Sequence, residues 1–255
     1  MTDYLKSNNI IEEKIHIGDI PAILFRPKEK EALLATIIFY HGWSSSKESQ
    51  RMRGFILASV GYQVIIPDAI YHGERNPIEY TAENARYFWD VILNTFDESE
   101  LIIKELIEKY KADPNRIGLA GHSMGGFISS GVFTHNAKAK ALVVFNGSCG
   151  WKNSNDIFKE EMNITMNEEL KVMEDKINLI DPSNNMHLLR DRPILMLHGT
   201  NDNVVSVESQ RNFYSSIKSL YQDPKKVELI EYPNLNHYLT TNMMEESIAW
   251  FYKYL

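Results

Sequence analysis

Five stretches of this chain are apolar almost without interruption: ALLATIIFY (32–40), QVIIP (63–67), IGLAG (117–121), ALVVF (141–145) and PILMLHG (193–199). Successive side chains of a strand point to opposite faces, so a strand with one face in water alternates apolar and polar residues. An unbroken apolar run demands cover on both faces. The segments between the runs supply that cover. KESQRMRGFILASVG (47–61) has helical apolar spacing and ends on Gly61, a residue type that stops a helix by turning left-handed. Further helical patterns occupy 81–111, as one helix or as two with a break at 97–99. Others start at Ser123, span 206–220, and close the chain at MMEESIAWFYKYL. Strand and helix alternate with short links, which predicts an α/β fold: a doubly wound, mostly parallel sheet with right-handed crossovers. The first pieces differ. KIHIGDIPAILFRP (14–27) reads as an antiparallel hairpin at a sheet edge, with Pro21 near its turn and Pro27 at its end, where a missing N–H is tolerated.

One interval breaks the rhythm. Between two core strands, 148–190 is polar and helical and carries Trp151, Phe158, Met162, Met166, Met173 and Met186. It exceeds what a crossover needs, so part of it is expected to lie as a cap over the carboxyl ends of the strands, where open α/β sheets bind ligands. Methionines at helical spacing also suit an ordinary core. With no repeat, linker or low-complexity tract, the 255 residues read as a single domain, 1–255, with a cap-like insertion at about 148–190.

Charge and cysteine content narrow the partners. Thirty-four acidic against 27 basic residues give a net charge of −7, with no basic stripe to attract a phosphate backbone, so nucleic acid is not expected. Cys149 is the one cysteine and cannot form an intrachain disulfide, which fits a reducing, cytoplasmic setting. The start, MTDYLKSNNIIEEK, lacks the basic, apolar and small-residue succession of a secretory signal, and no apolar run approaches membrane-spanning length. The eight histidines form neither H-x-x-x-H nor a pairing with C-x-x-C, and no glycine-rich phosphate loop or dinucleotide fingerprint is present. No metal and no cofactor is expected.

The chemistry concentrates at AGHSMGG (120–126). Gly121, His122, Ser123, Met124 and Gly125 match G-x-S-x-G, entered from the strand RIGLAG and left by the helical GGFISSGVF. That strand-turn-helix setting is what a nucleophile elbow needs. It would expose the Ser123 hydroxyl above the sheet and set the Met124 N–H at a helix N-terminus, where unpaired donors favour an anion. The loop after the first long strand, HGWSSS (41–46), reaches the same sheet edge, and the Trp43 N–H is the expected second oxyanion donor. A serine hydroxyl is a weak nucleophile and needs a base and an orienter. TNDNVV after PILMLHG offers Asp202, and NLNHYLT after VELIEYP offers His237, each in a loop at a strand's carboxyl end. The order Ser123, Asp202, His237 is the one this fold's triad takes along the chain. Asp181 and Asp191 are rival carboxylates on less suitable segments. His16, His72, His135, His187 and His198 sit where no triad histidine is expected.

Through HGW, DPNRIGLAGHSMGG, HGTNDNVV and the late His237, nearly the whole chain resembles an α/β-hydrolase. It is most similar to small bacterial serine esterases related to dienelactone hydrolases and to the catalytic domain of prolyl oligopeptidases. The resemblance implies a serine hydrolase, a carboxylesterase cleaving short-chain carboxylic esters through an acyl-enzyme on Ser123. The same triad would serve a thioesterase, lactonase or peptidase. For peptidases of the oligopeptidase type, 255 residues leave no room for the propeller that restricts access. A non-catalytic small-molecule-binding protein on the same fold is the alternative of another class. DAIYHGER (68–75) also resembles a segment beside the catalytic mouth of some of those esterases. Its His72, Glu74 and Arg75 either hydrogen-bond substrate or form an internal ion-pair cluster. Cys149 reads as a small apolar packing residue.

Overall fold

The chain enters through a hairpin in which Ile10–Ile17 (β1) and Ile20–Pro27 (β2) pair antiparallel around Gly18, a glycine at φ 54°. The computed structural model describes residues 7–28, 32–161 and 166–255. The first six residues of the N-terminal stretch and Met162 therefore lie outside the described residues. β2 pairs antiparallel with Gln63–Pro67 (β4). From there inward the sheet is parallel, through Leu34–Tyr40 (β3), Ala112–His122 (β5), Ala139–Phe145 (β6), Ile194–Gly199 (β7) and Val227–Tyr232 (β8). The order across the eight strands is β1-β2-β4-β3-β5-β6-β7-β8. The mostly parallel sheet with an antiparallel N-terminal edge is thus the architecture the apolar runs and the hairpin anticipate.

Both faces are covered, which is why the inner strands carry no alternation. Ile38, Tyr40, Leu119, Leu142, Val144 and Met196 join one core. That core is closed by Phe88–Lys109 (α2) and Met124–His135 (α3). Their chain neighbours Ile37, Phe39, Ala120, Val143, Phe145, Leu195 and Leu197 join the other. That one is closed by Arg51–Ser59 (α1) and Thr241–Tyr254 (α7). All residues of α3 from Met124 to Thr134 are buried, so this helix forms the floor beneath the elbow.

Three element limits are settled or shifted. The 97–99 break does not exist, because α2 runs through it as 22 continuous residues. Neither Gly nor Pro interrupts it, and the buried face continues unshifted through Val91, Thr95, Ser99, Ile102 and Leu106. Residues Asn84–Tyr87 form only a 3-10 turn, so the α-helix starts later than position 81. β5 begins five residues before the apolar run, since Ala112 pairs with Leu34 ahead of a register shift.

Between β6 and β7 the 148–190 interval folds as Trp151–Glu161 (α4), Glu168–Ile180 (α5) and two short 3-10 turns. Trp151 is fully buried in the core and donates from Nε1 to Ser130 Oγ at 3.0 Å, anchoring the start of α4 on α3. Val207–Ile217 (α6), capped by Ser206, follows β7.

Candidate active site

β5 ends at His122, α3 starts at Met124, and Ser123 between them holds φ 57° and ψ −122°. A non-glycine residue there is strained, and the neighbours hold it in place. Its N–H donates to Phe145 O at 2.9 Å and its carbonyl accepts from Gly126 N at 2.8 Å. The turn is too tight for flanking side chains: a Cβ at Gly121 would overlap the Gly125 carbonyl, and one at Gly125 the Tyr40 carbonyl. Ser123 is 7% exposed and lines a cavity of about 580 Å³.

Asp202 and His237 come from the loops after β7 and β8. His237 Nδ1 donates to Asp202 Oδ2 at 2.7 Å. The other oxygen, Oδ1, accepts from the N–H groups of Val204 and Val205 at 2.9 Å each. His198 Nε2 lies 3.3 Å from Oδ2 and 2.9 Å from the Val205 carbonyl. The Asp202 side chain has no exposed surface. Burial pushes its carboxyl up, but the donors on His198, His237 and Val205 outweigh burial and hold it below the usual carboxylate range. The His237 ring is 17% exposed and lies against His122, with centroids 5.0 Å apart. Burial, with His237 next to it, draws His122 down to about 3, so this neighbour stays neutral.

Among the described residues the Ser123 hydroxyl makes no hydrogen bond, so it is not joined to His237 here. The structure brings Asp202 to His237, and His237 to the residue preceding Ser123. The Trp43 and Met124 N–H groups donate to no acceptor among the described residues. A Cβ at Gly42 would come within 3.2 Å of Ser123 Cβ, so the loop carrying Trp43 runs directly past the serine. The Trp43 indole packs edge-on against His72, Tyr80 and Phe88 and lines the same cavity.

The family model described as the prolyl oligopeptidase family matches residues 50–255. The chain belongs to this family. It is 31% identical over 250 residues to YitV of Bacillus subtilis (strain 168), covering 94% of this chain and 97% of YitV. It is 25% identical over 251 residues to YjfP of Escherichia coli (strain K12), covering 95% and 98%. Both proteins carry the word esterase in their names. Among solved structures, TT1662 from Thermus thermophilus superposes with a TM-score of 0.77 at 19% identity, covering 96% of this chain and 97% of that one.

In this prolyl oligopeptidase relative the rival carboxylates have other uses. Asp181 accepts from Trp151 N, Lys152 N and Ser183 N at 3.2, 2.8 and 2.8 Å, tying down the start of α4. Asp191 accepts from Gln222 N at 2.9 Å. The 68–75 segment takes the internal option. Asp68 accepts from Lys47 N at 2.9 Å and Lys47 Nζ at 2.5 Å, and Arg75 grips Glu98 of α2 at 2.8 and 2.6 Å. Cys149 is buried, and burial pushes its thiol up. Sequence reasoning set His198 aside and overlooked Asn146. Asn146 is fully buried at φ 45°. It donates to the Tyr238 carbonyl and accepts from Gly199 N at 3.0 Å each, clamping the His237 loop to the end of β7. A positive φ announces itself only in coordinates. The signal open to sequence was an asparagine at a strand end, a residue type that tolerates the left-handed region.

Proposed function

We propose that this chain is a cofactor-independent serine hydrolase that cleaves carboxylic esters through an acyl-enzyme on Ser123. The observation that carries the reading is the 2.7 Å bond from His237 to a fully buried Asp202, beside a serine held at a strained elbow. Rotation of the Ser123 or His237 side chain closes the row, in keeping with the looser catalytic hydrogen bonds of ligand-free sites. His237 Nε2 then takes the hydroxyl proton as Oγ attacks the ester carbonyl. The resulting oxyanion is held by the Trp43 and Met124 N–H groups, each worth roughly 3–4 kcal/mol. Collapse expels the alcohol, which takes its proton from His237. A water deprotonated by His237 then attacks the acyl-enzyme carbonyl. The new intermediate collapses by releasing Ser123 Oγ, which takes its proton back from His237, and the acid departs, while Asp202 keeps the imidazole in the right tautomer and supports its cation.

The names of YitV and YjfP support an ester rather than a thioester or lactone. The family match favours amide cleavage as a second reading. Matched p-nitrophenyl esters and aminoacyl p-nitroanilides separate the two, and a preference for the amides would reverse the ranking. A lone cysteine supports a cytoplasmic setting, and among the described residues no helix is long and apolar enough to cross a membrane. The decisive test is fluorophosphonate labelling together with hydrolysis of p-nitrophenyl butanoate. Wild type is expected to label at Ser123 and to turn over. Ser123→Ala retaining most of the hydrolysis would refute the assignment.

A further inference from the structure

The cavity at Ser123 has an apolar wall. On α5, Leu170, Met173 and Ile177 recur at helical spacing and line it together with Trp43, Phe88 and Phe158. Ile177 is buried in the core and Met173 packs against it, but Leu170 and Met173 are only half-buried, so the stripe runs from the core out into the cavity. The polar wall side chains nearest α4 are already partnered. Asn155 accepts from Trp89 Nε1 at 2.8 Å, and Lys159 is held by Asp156 and Glu174. The remaining charges in the lining, Glu83, Arg86 and Glu169, sit at its exposed margin. Such a wall offers contact area and no buried charge, and its volume lies in the range that encloses most of a drug-sized ligand. Methionine and leucine can also adjust their rotamers to a chain of variable shape.

Direction follows from the proton. The departing alcohol must collect a proton from His237, so it leaves on the side of the β8 loop. No residue of 236–239 lines the cavity, which extends from Ser123 toward the β3 loop, residues 82–89 and α5 and touches the Asp202 loop at Val204 and Val205. Resting on the esterase reading above, we propose that this cavity is the acyl site and selects a neutral, apolar acyl group of about six to ten carbons. Short acyl esters are then turned over as weaker members of one series.

The test holds the leaving group constant: p-nitrophenyl acetate, butanoate, hexanoate, octanoate and decanoate with the full chain, alongside fluorophosphonate labelling of Ser123. Each buried methylene is worth about 0.8 kcal/mol, so kcat/KM is expected to rise about two- to fourfold per carbon and to peak between hexanoate and decanoate. Met173→Trp, which fills the cavity, lowers the octanoate-to-acetate ratio at least tenfold. Leu170→Trp, at a half-exposed position, does the same should the first variant fold poorly. A flat or acetate-centred series with Ser123 labelled overturns the acyl-site proposal and leaves the esterase reading standing. A rise with alcohol length in alkyl acetates, and none with acyl length, overturns it equally. No labelling and no ester turnover brings down both.

Discussion

Asp68 and Asp202 each have no exposed side-chain surface and each lie near a histidine, yet their surroundings give them opposite uses. Asp68 meets the Lys47 ammonium at 2.5 Å, and His41 stands off at 4.0 Å. Lys47, itself 1% exposed, also touches Glu74 at 2.8 Å. Burial pulls the Lys47 ammonium down, but its bonds to Asp68 and Glu74 outweigh that and raise it. Every strong donor of this pair is spent inside the protein. Asp202 instead holds an imidazole that is 17% exposed and packs against His122, the residue before Ser123. A buried carboxylate paired with a fixed cation secures loops; one paired with an exchangeable, partly exposed imidazole can support a cation that comes and goes.

The sharpest way to break this comparison is Asp202→Asn. The imidazole then loses the acceptor that sets its tautomer, and kcat on a p-nitrophenyl ester is expected to fall about 10⁴-fold with binding little changed. A loss below tenfold would mean that Asp202 is no more catalytic than Asp68. The converse variant, Asp68→Asn, leaves Lys47 buried with weaker partners. It should lower the unfolding free energy by about 3–5 kcal/mol in chemical denaturation, while the molecules that remain folded turn over within an order of magnitude of wild type. Adding Lys47→Met removes the stranded charge and should recover part of that stability. Wild-type stability in Asp68→Asn alone would show that Glu74 and Glu48 already suffice for Lys47.

The same contrast explains what was legible before any coordinates. β3 to β7 announced themselves because burial on both faces writes continuous apolar runs, and the elbow because Gly121 and Gly125 leave space that no Cβ could occupy. Loop position and chain order pointed to Asp202 and His237, and the two side chains do meet at 2.7 Å. Lys47 and Asp68 were not legible, because nothing local marks a lysine as 1% exposed; beside its neighbour Glu48, its burial depends on Asp68 and Glu74, which the 68–75 loop brings from 21 and 27 residues on. Asn146 and His198 escaped for a related reason: Asn146 acts through contacts 53 and 92 residues away and His198 through Asp202 four residues on, and none of these contacts has value until the sheet has formed. For Met166 and Met173, helical spacing left open whether core or cavity lay beneath them. Only the arrangement of α4 and α5 over Ser123 decides that.

Acid offers the finest discrimination between the two regions. His72, fully buried next to the Lys47–Asp68 pair, donates from Nδ1 to the Ile70 carbonyl at 2.7 Å and has no partner for Nε2 among the described residues. Burial, followed by the nearby His41, draws it from 6.5 to about 4. Its folded value lies below its unfolded one, so the neutral ring contributes stability above pH about 6.5, and that contribution is lost as pH falls toward 4. Between pH 7 and 5 the loss is about 2 kcal/mol. His72→Phe should therefore flatten the pH dependence of unfolding by about that amount, whatever it does to stability at pH 7. The acid limb of kcat/KM on a p-nitrophenyl ester should keep its midpoint. If that midpoint moved with His72→Phe, or if the slope of stability against pH stayed as steep, the two regions would be electrostatically one.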